Sequence, residues 1–230
     1  MKREFFVYNS NYLLENLCCL TLVALVIWGI LLLLANDDAA FGLKLLETYL
    51  IQDQNKFHHI IGLAQNDLNM TLDNIFVRVN ILDKDNSILG NYSNQVAVHP
   101  LNPSEITPFD VILYDKDQNS LIKNYTIDST YEKVNTNIRD LEIHSTNSKL
   151  DATGFYYISG RINNNMNITS NSTTIIAALD DKNGDLIGIW KAQSEPYNIP
   201  PFSAASFTIP VTDRSLGFNI NNYSLYSNNS

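Results

Sequence analysis

The sequence predicts a mainly β protein, two tandem β-sandwiches behind one N-terminal transmembrane helix. Three observations predict it. Residues 17–35 form an apolar run without a charge. Residues 43–132 superpose without a gap on residues 141–230 when the chain is shifted by 98 positions. Within each copy, short alternations of apolar and polar residues are divided by polar turn clusters, the period-two signature of strands.

The apolar run reads LCCLTLVALVIWGILLLLA. At 1.5 Å per residue it reaches about 28 Å, close to the ~30 Å hydrocarbon core of a bilayer. Lys2 and Arg3 precede it and Asp37 and Asp38 follow it. The positive-inside rule therefore puts residues 1–16 in the cytoplasm and the chain after Asn36 outside the cell membrane. A cleaved signal peptide is the rival reading; its apolar core would be long, and neither 34–36 nor 38–40 makes a convincing A-x-A site. The two cysteines, Cys18 and Cys19, open the run, and Trp28 lies within it as a packing residue. The exported part thus has no disulfide and must be held by its cores.

The repeat is dense at telling places. About twenty of the ninety superposed pairs are identical. Phe57 and Gly62 match Phe155 and Gly160; Asn66, Asn69 and Thr71 match Asn164, Asn167 and Thr169; Pro103 and Phe109 match Pro201 and Phe207; Asn124 and Tyr125 match Asn222 and Tyr223. Ile75, Val77, Val79 and Ile81 form one inward set, echoed by Ile175, Ala177 and Leu179. Phe109, Val111 and Leu113 form another, echoed by Phe207, Ile209 and Val211. Strands are expected at 43–46, 56–65, 74–82, 87–92, 94–98, 106–114 and 121–128, with a short helix near 38–52 as the competing assignment for the first. Seven short strands in about 85 residues point to an immunoglobulin-like sandwich. The expected domains are 36–130 and 141–230, joined by a polar linker at 131–140.

The stations Ile60-Ile61-Gly62, Asn66, Ile81-Leu82-Asp83, Gly90, Leu101-Asn102-Pro103 and Phe109 resemble the FxLYD-type domain of bacterial and archaeal envelope proteins. The second copy follows with Ile158-Ser159-Gly160, Asn164, Leu179-Asp180-Asp181, Gly188, Ile199-Pro200-Pro201 and Phe207. The tyrosine of the namesake motif is replaced in both copies, and Leu113-Tyr114-Asp115 spells the motif at a different station. The resemblance implies an extracytoplasmic β-sandwich with no catalytic residues to carry over.

Candidate chemistry is sparse. Seven Asn-x-Ser/Thr sequons, at Asn69, Asn91, Asn124, Asn167, Asn171, Asn222 and Asn228, are candidate N-glycosylation sites on an exposed surface. Asp83, Asp85 and Ser87, and Asp181, Asn183 and Asp185, have the alternate oxygen spacing of calcium loops but lack the following glycine and the distant bidentate glutamate, so hairpin turns are expected. Asp115, Asp117 and Asn119 repeat the spacing, and the second copy replaces them with Asp213, Ser215 and Gly217. His58, His59 and His99 exchange with Tyr156, Tyr157 and Tyr197, and His144 with Leu46, which suits half-buried strand positions better than metal ligands or general bases. Trp190 stands where the first copy has Tyr92 and is expected in the core.

No Gly-x-Ser-x-Gly, His-Glu-x-x-His, Cys-x-x-Cys or phosphate loop occurs. No catalytic set, metal or cofactor is expected. A net charge of −9 disfavours a nucleic-acid partner. The expected partners are membrane lipid through residues 17–35 and a protein or envelope component. Three functions compete: a non-catalytic structural, adhesion or protein-binding module displayed outside the membrane, an accessory subunit capping a membrane complex, and a hydrolytic or metal-dependent envelope enzyme.

Overall fold

The structure is a computed structural model and describes residues 42–115, 121–135 and 139–229. The expected cytoplasmic segment, the transmembrane run with Cys18, Cys19 and Trp28, and Asp117 and Asn119 lie outside the described residues. The described residues form one compact unit from Gly42 onward, which holds both copies of the repeat. Among the described residues no helix is long and apolar enough to cross a membrane.

The first copy forms β1 (Leu43–Gln52), β2 (His58–Asn66), β3 (Thr71–Leu82), β4 (Ile88–Gln95), β5 (Ile106–Leu113) and β6 (Asn124–Val134). The second forms β7 (Leu141–Leu150), β8 (Tyr156–Asn164), β9 (Thr174–Asp180), β10 (Leu186–Gln193), β11 (Ala204–Val211) and β12 (Asn222–Asn228). One helical turn, α1 (Arg214–Gly217), precedes β12. Of the stretch weighed as a helix, Leu43–Gln52 is strand β1, and residues 38–41 lie outside the described residues. The expected strand at 94–98 is not a separate element. After β4 the backbone crosses between sheets: the Val96 N–H donates to Ile75 O, and the Ala97 N–H to Pro108 O. β6 also runs to Val134, four residues into the expected linker, because Thr71, Leu72 and Asp73 continue to pair with it.

Each copy contains two three-stranded antiparallel sheets, β1-β2-β5 with β4-β3-β6, and β7-β8-β11 with β10-β9-β12. The 98-residue offset holds in the pairing itself. Gly62 faces Phe109 as Gly160 faces Phe207, and Val79 faces Ile127 as Ala177 faces Leu225. Both inward sets expected from the sequence are buried, and each pair of sheets shares one core. The glycines are kept for close approach: a Cβ on Gly62 would strike the Phe109 ring and the Glu47 carbonyl, and one on Gly160 would lie 2.7 Å from the Phe207 ring. Each phenylalanine covers its cross-strand glycine.

The repeated asparagines do a different job. Asn66, fully buried, donates from Nδ2 to the carbonyls of Met70 and Leu101, and its Oδ1 accepts from the Leu68 N–H. Asn164 repeats this with the carbonyls of Ile168, Ile199 and Pro200 and the Met166 N–H. In each copy one side chain satisfies backbone groups of two loops that lie outside the regular ladders.

The hairpins are built on aspartates. Asp53, Asp83, Asp151 and Asp181 each accept at Oδ1 from the backbone N–H groups two and four residues on. The fourth residue of every such turn has positive φ: Lys56 (69°), Asn86 (60°), Gly154 (90°) and Gly184 (85°). Left-handed backbone costs a lysine more than it costs glycine. Lys56→Gly is therefore expected to stabilise the fold by about 0.5–1 kcal/mol, read as a raised urea midpoint.

The two copies do not hang as separate beads. The outer face of β1-β2-β5 packs on the outer face of β10-β9-β12, burying Ile61 against Ala178 and Leu186, with Tyr49, Ile51, Leu63, Ile189 and Tyr226 around them. Ile176 is buried into the first copy's core cluster. Four sheets thus stack in the order β4-β3-β6, β1-β2-β5, β10-β9-β12, β7-β8-β11. The repeat shows why. Tyr49, Ile51, Ile61 and Leu63 of the covered face become Asn147, Lys149, Ser159 and Arg161 in the second copy, on a face that no described sheet covers. Conversely Ile176, Ala178, Ile189 and Tyr226 correspond to Arg78, Asn80, Asn91 and Asp128 on the uncovered outer face of the first copy. At these eight positions the faces that meet are apolar and those that do not are polar. Polar ties flank the seam: the Tyr49 hydroxyl donates to Asp185, and the His99 N–H to Asn228 Oδ1. Arg139 docks the connecting segment onto the first copy through Pro100 O and Glu105.

Candidate functional site: the cleft between the copies

Beside the apolar seam the copies part, leaving a cavity of about 360 Å³. On one side stand the β1–β2 turn, His59 of β2 and Asp110 of β5; on the other stand Gly188 and Trp190 of β10 with Asp213 and Leu216 near α1. Position follows from local structure. The Asp53 side chain fixes the turn by accepting from the Asn55 and Phe57 N–H groups. Asp213 caps α1, accepting from the N–H and hydroxyl of Ser215. β2 pairs with β5 so that Ile61 stands opposite Asp110 and His59 opposite Ile112. His59 and Asp110 are therefore diagonal neighbours on one face of the sheet.

His59 is held between two carboxylates of the cleft. Its side chain is 14% exposed, with Nδ1 at 2.8 Å from Asp110 Oδ1 and Nε2 at 3.7 Å from Asp53 Oδ2. Nε2 is buried without a hydrogen-bond partner among the described residues. Burial pulls the imidazole down, but the hydrogen bond and charge of Asp110, joined by Asp53, outweigh it and leave the pKa above its ordinary value of 6.5. Asp53 is shifted the other way: burial raises it, while the N–H of Phe57, the Asn55 amide and the charge of His59 hold it below 3.8. A group with a raised folded pKa contributes stability that is whole below the unfolded value and is lost as pH climbs through the folded value. The His59 contribution is therefore expected to be full below pH 6.5 and to fade above it. His59→Gln should remove that part of the pH dependence, which melting temperatures taken from about pH 6 to about pH 9 will show.

The other sequence candidates lie apart. His58 stands next to His59 in β2, His99 lies 3.6 Å from Asp73, and the His144 ring nitrogens meet Ser145 Oγ and Asn163 Oδ1. All four histidines are half-buried; His58, His59 and His144 lie in strands, whereas His99, expected in one from its exchange with tyrosine, lies in the segment after β4. Among the described residues no group of three or more His, Cys, Asp or Glu is placed to hold a metal ion. Asp83 and Asp181 spend an oxygen on the N–H groups of their own turns, the hairpin geometry expected of those two clusters. Trp190 is half-buried, packing on the second core with one side while lining the cleft with the other.

The sequons differ in access. Asn69, Asn91, Asn124, Asn167, Asn171 and Asn222 are exposed, whereas Asn228 is half-buried and spends its Oδ1 on the His99 N–H across the seam. Sequence reasoning missed the cleft itself, although its signal is present. His59, Asp110 and Trp190 occupy positions where the other copy has Tyr157, Thr208 and Tyr92.

No family model matches the chain, and no curated protein matches it. Among solved structures it has a likeness to the crystal structure of red sea bream transglutaminase, 7% identical, covering 81% of this chain and 31% of that one, with a TM-score of 0.25. The chain spans about a third of that protein's length, and so slight a likeness carries no argument about fold or activity.

Proposed function

We propose that this chain is a non-catalytic, membrane-anchored extracytoplasmic binding protein whose two immunoglobulin-like, FxLYD-type sandwiches act as one rigid head. The observation that carries this reading is the division of apolar and polar faces between the copies. Ile61, Ala178 and Leu186 seal the seam, while the two outermost sheets carry Arg78, Asn91 and Asp128 at one end and Asn147, Lys149 and Arg161 at the other. A pair sealed inside and polar at both ends suits a self-contained displayed unit better than one link of a longer stack. Residues 17–35 supply the anchor, and the exposed sequons suit an outer surface.

The test is made on whole cells expressing the full chain. The chain is expected to remain in membranes after an alkaline carbonate wash, and added protease is expected to degrade residues 42–230 without breaking the cells. Protection from protease, or release by carbonate, sinks the reading. A partner that co-purifies in fixed stoichiometry from mild detergent would favour the accessory-subunit function instead. In a host that glycosylates sequons, intact peptide mapping should find Asn228 unmodified, since a glycan there would open the seam.

A further inference from the structure

The cleft does not end at Trp190. Past the β1–β2 turn it continues into a second space of about 650 Å³, and the two share Gln52, Asp53, Gln54, Thr212 and Asp213. One aromatic ring lines each part, Trp190 in the first and Phe155 in the second. The shared lining joins the two spaces, so a ligand lying across the β1–β2 turn would enter both.

Its charges are already spoken for. Asp110 is held by His59, Asp53 by the N–H groups of its own turn, and Asp213 by Ser215. The Arg214 guanidinium lies 4.7 Å from the centre of the Phe155 ring. Three carboxylates (Asp53, Asp110, Asp213) are interspersed with Lys56, Arg214 and the His59 imidazole, so the groove presents both signs and no field of one sign to recruit a polyion. What faces the groove is a set of planar amides, the exposed Gln52 and Gln54, the exposed Thr212 hydroxyl, the remaining carboxylate lone pairs and two aromatic rings. Amides and carboxylates bond vicinal hydroxyls, and an indole face takes the C–H face of a pyranose. An apolar drug-like ligand would want fewer polar groups, and a polyion would want an unbalanced field.

We propose that the groove between the two copies binds a neutral oligosaccharide strand, one sugar stacked on Trp190 and its neighbours crossing Gln52 and Gln54 toward Phe155. The site belongs to the pair, because half of it comes from each copy. This inference rests on the binding part of the proposed function and is independent of the anchor.

The test uses the full chain in mild detergent with Trp28→Phe, so that Trp190 is the one remaining tryptophan. Chitohexaose, laminarihexaose and mannohexaose are titrated, with hexagalacturonate and spermine as charged counterparts. A saturable change in Trp190 emission with at least one neutral hexasaccharide is expected. Calorimetry should then show binding at least tenfold weaker in Trp190→Ala, and weaker also in Gln54→Ala, an exposed change that leaves the melting temperature in place. Silence across the neutral sugars, unchanged binding in both variants, or tighter binding of either charged probe overturns the proposal. Carbonate extraction and protease accessibility report on the anchor separately, so the two failures are distinguishable.

Discussion

Asn66→Ala is expected to lower the stability of the first copy by about 3 kcal/mol, read as a fall in urea midpoint. The side chain is fully buried and makes three hydrogen bonds, two as donor and one as acceptor. Each orphaned buried group costs about 1–3 kcal/mol. The full sum is not expected, because the Leu101 carbonyl keeps the Leu72 N–H as a partner. Asn66→Asp separates the parts: it retains the acceptor for Leu68 and removes both donors, and it also brings a charge into the core. It should be at least as damaging as alanine. If alanine at Asn66 leaves the midpoint unchanged, the loops are held by something other than this side chain. Asn164 offers an internal repetition of the experiment, with Pro200 O as a further acceptor.

Ile61→Asp is expected to open the seam between the copies. Ile61 is 1% exposed and packs with Ala178 and Leu186. Losing a buried isoleucine removes about 2 kcal/mol of transfer free energy, and an unpaired carboxylate in its place costs several kcal/mol more. Undocking avoids that second cost, since both cores lie on the far sides of the paired sheets. Hydrogen exchange should therefore quicken along β9 and β10 while the interiors of β3 and β8 stay protected, and melting should divide into two transitions. Ile61→Ser, which installs the residue the second copy carries at Ser159, should weaken docking by about 2 kcal/mol without that charge. Unchanged exchange in Ile61→Asp would mean that the faces are held elsewhere.

Much of the fold was legible because the duplication preserved what a sheet needs. Gly62 and Phe109 recur as Gly160 and Phe207 since one ring must lie over a bare Cα, and Asn66 recurs as Asn164 since the loop carbonyls recur. The inward sets of β3, β5, β9 and β11 were legible for the same reason, as alternation of period two. Strand number was not. Val96 and Val98 alternate like strand residues, yet both are buried where the chain crosses from one sheet to the other. Residues 131–134 read as linker because Glu132 and Lys133 separate Tyr131, which packs on the first core, from Val134, and two apolar residues three apart make no period of two. The seam and its cleft were the larger omission. Identity between the copies was informative about scaffold, but the seam is written in the differences, where Ile61 faces Ser159 and Ile176 faces Arg78 in the superposition. His59 and Asp110 each differ from their counterparts, and their proximity is a property of register that one strand alone does not reveal.

The division of faces also bears on how the chain reaches its native state. Neighbouring copies of one fold are prone to exchange strands while both are unfolded, since a strand of one can satisfy the ladder of the other. Here the exchange is penalised at the seam strands. β2 placed in the second copy would put Ile61 and Leu63 on an outer face open to water, and β9 placed in the first would do the same with Ile176 and Ala178. β8 or β3 moved the other way would bring Arg161 or Arg78 into the dry contact. The same substitutions that close the head therefore act as proofreading of assembly: a misthreaded chain loses the seam, and the correctly threaded one gains it.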